Sequence, residues 1–170
     1  MPALYVVRHG EPTLCGVLLG RIDPPLSEAG RAQISTLRLD VRAIYASPLR
    51  RTAESAAILS DGGPVITLDD LIEISLGVWD GRTWAEIERD YPKEAAAKLA
   101  DWTGVTPPGG EPWSDFASRV DRALAYVRTG PLPAAIVGHL AVNAWIAHRL
   151  RGADPIDFTQ DYGEIKSYEL

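Results

Sequence analysis

Four short apolar runs, at residues 4–8, 43–47, 65–68 and 134–138, are bounded by turn residues and alternate with stretches of helical periodicity. Runs of that length without polar alternation suit strands covered on both faces, and strands separated by helices pair in parallel through crossovers. This alternation constrains the fold more than any other feature. It predicts an α/β chain, a three-layer sandwich whose mostly parallel central sheet carries helices on both faces. Ser27 stands as the N-cap of a helix running to about Leu39, and Ser47-Pro48 opens a second with Pro48 at its first position. Trp113, Phe116, Val120, Leu124 and Val127 recur at spacings of three and four, with Gly130 closing that helix.

The chain has 170 residues, 46% of them hydrophobic and 24% charged, which is ordinary globular usage and enough for one full core. Residues 1–170 are therefore expected to form a single domain. One cysteine, Cys15, excludes an intramolecular disulfide framework. The apolar opening is too short to span a bilayer and has neither a basic leader nor a small-residue cleavage site, so the cytoplasm is the expected location. A formal net charge of −6 disfavours nucleic acid and anionic membranes as partners, but leaves room for a local cationic pocket holding one small anion. Three histidines do not make a metal tract, and neither a zinc-type histidine pair nor a Walker glycine loop occurs, so no metal or cofactor is expected. No heptad marks an oligomer interface.

The first run stops at Arg8-His9-Gly10-Glu11 and the last at Gly138-His139. Open α/β sheets bind ligands at the carboxyl ends of their strands, and two parallel strands ending in histidine at one edge are hard to dismiss as two half-buried polar residues. Ser47-Pro48-Leu49-Arg50-Arg51 places two arginines in the first turn of a helix, where the dipole disfavours cations. The stretch is either a solvated basic turn or an anion site combining helix amides with a guanidinium fork. His148 lies inside a helical stretch and reads as structural or surface. The five tryptophans lack interleaved basic residues and read as core and pocket wall rather than a base-stacking platform. The loop Thr106-Pro107-Pro108-Gly109-Gly110-Glu111-Pro112 is too short to link independent domains and long enough to shape a pocket.

Taken together and in order, several blocks resemble the histidine phosphatase superfamily, the phosphoglycerate mutase-like family. They are Arg8-His9-Gly10-Glu11, Gly20-Arg21-Ile22-Asp23-Pro24-Pro25-Leu26-Ser27, Ser47-Pro48-Leu49-Arg50-Arg51, Glu73-Ile74-Ser75-Leu76-Gly77-Val78-Trp79-Asp80-Gly81 and Val137-Gly138-His139. The resemblance implies that His9 is a nucleophile forming a phosphohistidine, with Arg8, Arg51 and His139 completing the phosphate pocket. It implies Glu73 as proton donor, and Gly10, Arg21, Gly109, Gly110 and Glu111 on the substrate-facing side. The opening, the Gly20 segment and the 108–111 loop are most similar to the α-ribazole phosphatase branch. Two positions depart from the family pattern. Cys15 stands where many members have asparagine, and Leu140 where many follow the second histidine with glycine.

The implied chemistry needs these residue types. Arginine forks stabilise charge on a phosphoryl group, positive neighbours keep His9 neutral, and a carboxyl beside a bound phosphate can protonate the leaving alkoxide. A metal-independent phosphatase acting on a small phosphorylated metabolite is thus expected. A phosphoglycerate-type mutase, a catalytically silent phospho-ligand or partner-binding module, and a metal hydrolase using His9 and Glu11 stand as alternatives. Glu73 itself reads either as the acid or as an exposed carboxylate in an imperfect strand.

Overall fold

The computed structural model describes residues 3–170; Met1 and Pro2 of the opening run lie outside them. In chain order the elements are β1 (Ala3–Arg8), α1 (Glu28–Ser35), β2 (Ala43–Ala46), α2 (Arg50–Leu59), β3 (Ile66–Thr67), α3 (Trp84–Asp90), α4 (Pro92–Ala100), α5 (Trp113–Thr129), β4 (Ala134–Gly138), α6 (Leu140–Arg151) and β5 (Ile165–Glu169). The strands form one sheet in the order β3-β2-β4-β1-β5, parallel except that β5 runs antiparallel to β1.

Strand residues alternate between two cores, as a pleated sheet requires. Leu4, Val6, Tyr45, Ala134 and Ile136 face α5 and α6, packing with Phe116, Val120, Leu124, Val142 and Ile146. Val7, Ile44, Ala46, Ala135 and Val137 face the other way, onto Ala56 of α2. The three-layer sandwich is therefore present. The apolar stripe read along α5 is buried at Phe116, Val120, Leu124 and Val127, each contributing about 1.5–3 kcal/mol by leaving water.

Several boundaries differ from expectation. Ser27 caps α1, accepting from the Gly30 N–H, but the helix ends at Ser35 because the Thr36 hydroxyl and N–H both turn back to the Gln33 carbonyl. Leu37 and Leu39 then pack on the second core from an irregular segment. Pro48 lies outside α2. The Leu49 N–H donates to Ser47 Oγ at 3.2 Å in a tight turn, and the helix starts at Arg50. β3 is a two-residue, exposed edge pair rather than a buried strand. β5, a half-exposed edge strand, carries no apolar run to announce it. Gly130 ends α5 at φ −87°, so its glycine is required by space: a Cβ there would sit 2.2 Å from the Tyr45 hydroxyl.

Candidate active site

β1 and β4 are neighbours with Arg8 opposite Gly138, so His9 and His139 leave the sheet side by side. The His9 N–H continues the ladder to the Gly138 carbonyl at 3.1 Å, and the two imidazole centroids lie 5.4 Å apart. His9 Nδ1 is 2.8 Å from the Gly10 carbonyl. A carbonyl only accepts, so Nδ1 carries the proton and Nε2 keeps its lone pair. Burial, reinforced by the Arg51 and Arg8 charges and opposed by the Gly10 hydrogen bond, pushes the His9 pKa down to about 3. A neutral imidazole with a free Nε2 results.

His139 is fully buried, and its Nε2 lies 2.9 Å from Ser47 Oγ at the end of β2. Ser47 is buried and its hydroxyl has no acceptor other than His139 Nε2, so the pairing that satisfies the hydroxyl proton has Ser47 donating to Nε2 and the imidazole hydrogen on Nδ1. Burial first, then Arg51 and its other cationic neighbours, hold this imidazole well below its ordinary pKa.

Arg51, in the first turn of α2, is buried and donates to the Ile22 and Gly20 carbonyls at 2.7 and 3.0 Å. Arg8 donates to the Gln160 carbonyl at 2.6 Å, with its guanidinium 4.2 Å over the Tyr162 ring. Arg8 Nε, Arg51 Nε and His139 Nδ1 are all buried with no hydrogen-bond partner. Such groups are rare in folded proteins. Three of them around one neutral histidine make a set of donors left for an acceptor the protein does not supply.

Glu73 lines the same cavity as Arg8, His9 and Arg51, rather than standing on an exposed strand. Its carboxylate accepts the Ile74 N–H at 2.9 Å and the Ala141 N–H, in the first turn of α6, at 3.3 Å. Burial raises its pKa against the pull of these amides and of Arg51 and Arg119. The cavity measures about 430 Å³.

His139, packed edge-on against His9, does not itself line that cavity, and neither do Arg21, Gly10, Gly109, Gly110 and Glu111. The Gly10 N–H donates to Ser55 Oγ, and a Cβ on Gly10 would meet the Gly30 carbonyl at 2.6 Å, so it fits close packing between β1 and α1. Arg21 donates to the Glu73 carbonyl at 2.6 Å and to Glu111 at 3.3 Å. The 107–110 turn packs on Gly77, where a Cβ would lie 2.2 Å from the Pro108 carbonyl. These groups brace the segment carrying Glu73. Cys15, one of the two departures from the family pattern, is exposed. His148 stacks on Trp145, away from the cavity lining.

Arg119 and Tyr162 were not legible as site residues. Arg119 forks onto Glu111 at 2.7 and 2.8 Å and reaches the Asp70, Ile72 and Glu73 carbonyls. One signal for it existed: an arginine three residues after Phe116, on the apolar stripe of α5. Tyr162 sits on a loop with no periodicity to mark it. Among the described residues no cluster of metal-ligating side chains occurs, and no helix is long and apolar enough to cross a membrane.

The carboxyl edge of the parallel sheet thus carries two neutral histidines, with two arginines bearing unused donors and a buried carboxyl beside them, an arrangement suited to an anionic ligand. The chain belongs to the histidine phosphatase superfamily (branch 1), whose family model matches residues 4–168. It is 35% identical over 137 residues to a bifunctional protein of Mycobacterium tuberculosis, covering 75% of this chain and 37% of that one. It is 30% identical over 131 residues to the adenosylcobalamin/alpha-ribazole phosphatase of Salmonella typhimurium, covering 72% of this chain and 65% of the relative. The crystal structure of the alpha-ribazole phosphatase from Shigella flexneri superposes with a TM-score of 0.87 at 25% identity, over 97% of this chain and 89% of that one.

Proposed function

We propose that the chain is a metal-independent phosphatase that hydrolyses a small phosphate monoester through a phosphohistidine. The observation that carries this is the three unpartnered groups, on Arg8, Arg51 and His139, that neighbour the neutral His9. A phosphoryl group offers acceptor oxygens to all three, and its growing negative charge is stabilised by the two guanidinium groups. His9 Nε2 attacks phosphorus in line as the P–O bond to the alcohol breaks, and Glu73 delivers its proton to the departing oxygen. The Glu73 carboxylate then takes a proton from water, whose oxygen attacks phosphorus while the N–P bond breaks. Inorganic phosphate leaves, and His9 and Glu73 return to their starting states. Each proton and electron pair has a protein group to carry it, so no step calls for a metal.

Two of the similar proteins are alpha-ribazole phosphatases, which makes α-ribazole phosphate the first natural ester to test. The proposal places the chain in the cytoplasm, acting on a metabolite without nucleic acid or membrane as partner. Mutase-type transfer to a second hydroxyl is the competing outcome. The test is phosphate release from p-nitrophenyl phosphate across about pH 4 to 8 with excess chelator, for wild type beside His9→Ala. Activity that survives chelator and vanishes with His9 supports the proposal. Folded wild type without activity, or activity indifferent to His9, refutes it.

A further inference from the structure

Beyond the phosphoryl end, the cavity changes character. Trp102 after α4, Trp113 at the start of α5, Leu140 at the start of α6, and Ile156 and Phe158 after α6 form an apolar wall contributed by separate segments. Leu140 and Ile156 remain 37% and 60% exposed, so large apolar side chains stand open to water at the cavity. The ring positions are braced from behind. Trp113 packs on Phe116 and Trp145 at centroid distances of 5.0 and 6.1 Å, and Trp102 on Trp84 at 6.1 Å.

The cations at this end are committed elsewhere. Lys98, the one further cation in the lining, is 3% exposed; its ammonium donates to the Trp102 and Val105 carbonyls and lies 5.0 Å from the Trp102 ring. It pins the wall instead of presenting a charge. Arg21 and Arg119, outside the lining, are engaged by Glu111 and by backbone carbonyls. A second anionic group on the substrate would therefore lose its water beside apolar rings and the Glu73 carboxyl, with no free cation among the lining residues to receive it.

We propose that the site selects phosphate monoesters whose alcohol part is an apolar, ring-sized body without a second anionic group, and that Trp102, Trp113, Leu140, Ile156 and Phe158 make that selection. The proposal rests on the Arg8–Arg51 end being the phosphate site. Leu140 gives the position where the family pattern has glycine a purpose, because a glycine there would leave a gap in the wall.

The test measures binding, which needs no turnover. Methylphosphonate, 2-naphthylmethylphosphonate and phosphonoacetate share one phosphonate group and differ in the body attached, and their affinities are read by titration calorimetry. The naphthyl compound is expected to bind at least about tenfold tighter than methylphosphonate, the factor supplied by about 1.4 kcal/mol of apolar contact. Phosphonoacetate is expected to gain nothing. Leu140→Ser and Ile156→Ser, both at exposed positions, should each cut the naphthyl-to-methyl ratio about threefold or more. Equal affinities for the methyl and naphthyl compounds, tighter phosphonoacetate, or unchanged ratios in both folded variants would overturn the proposal. Hydrolysis of p-nitrophenyl phosphate with no ring preference sinks the selectivity alone. Ring preference without hydrolysis sinks the phosphatase assignment alone, and the absence of both phosphonate binding and hydrolysis sinks both.

Discussion

Arg119→Met would remove the guanidinium that ties α5 to the Glu73 segment while keeping an apolar stem beside Phe116. The substitution deletes the fork on Glu111, at 2.7 and 2.8 Å, and the bonds to the Asp70, Ile72 and Glu73 carbonyls at 2.9, 2.5 and 3.3 Å. The Arg119 and Glu111 side chains are only 10% and 16% exposed, so this is a largely buried ion pair. Removing one partner of such a pair costs about 3–5 kcal/mol. Arg21 remains near Glu111, which favours the lower end. With about 2 kcal/mol per molar urea for a domain of this size, about 3 kcal/mol is about 1.5 M in the unfolding midpoint. Urea titration followed by tryptophan fluorescence would read it. Burial pushes the Glu111 carboxyl up, but the Arg119 hydrogen bonds and charge outweigh this and hold it below its usual 4.5. A folded-state pKa held low adds stability above the unfolded value and loses it as pH falls through the folded one. The gap between wild type and Arg119→Met should therefore be full at neutral pH and shrink as pH falls below about 4.5. Replacing Glu111 by methionine as well should recover part of the loss, since no carboxylate is then left stranded. A midpoint within about 0.3 M of wild type at pH 7 would show that the fork contributes little, and the reasoning would fail.

Arg8→Lys and Arg51→Lys should each lower kcat about 100-fold with the circular dichroism spectrum retained, because an ammonium cannot offer the unused Nε–H. Near-normal rates in both would remove the guanidinium groups from the phosphate site. In kcat/KM, which reports the steps up to release of the alcohol, Glu73→Gln should slow alkyl phosphates by about a hundredfold or more but barely affect p-nitrophenyl phosphate, whose leaving group departs with little protonation; kcat should fall for both, because hydrolysis of the phosphohistidine needs the same carboxylate as base. Equal losses in kcat/KM on both would take Glu73 out of the acid role. In the pH profile of kcat/KM for an alkyl phosphate, His9 stays neutral down to about pH 3, and Glu73 must be protonated to act as acid. Activity should thus be highest on the acid side and fall as pH rises through the raised Glu73 pKa; a limb rising near pH 6.5 would mean an ordinary imidazole controls the rate.

The two histidines could be paired from the sequence because each follows an uninterrupted apolar strand, and parallel neighbours deliver their next residues to the same edge. Helix α5 was equally plain, its Trp113-to-Val127 stripe surviving intact. What escaped was what depends on tertiary partners. β5 buries only Tyr168 along an edge and exists because β1 offers it an open side. Arg119 sits on an apolar stripe, where only the folded path of the 70–73 segment reveals carbonyls and a carboxylate waiting for it. The 109–111 loop was expected on the substrate side, and glycine-rich punctuation does tell that a loop exists. It does not tell which way the loop folds, and here Gly77 accepts it as packing. Glu73 was legible only through the family pattern, since a carboxylate between isoleucines has no periodicity of its own.

The register of β1 against β4 has a consequence for how such a chain can diversify. Arg8 and Gly138 are ladder partners, so the separation of His9 and His139 follows from the spacing of adjacent strands, about 4.8 Å, and not from any loop. The apolar wall of the cavity is assembled from helix ends and turns around residues 102, 113, 140 and 156. Insertions or exchanges in those turns can reshape the cavity beside Arg8 and Arg51 without moving His9 Nε2 by a fraction of an ångström. The histidine edge and the apolar wall are thus inherited from different parts of the molecule, and each can drift while the other is held still.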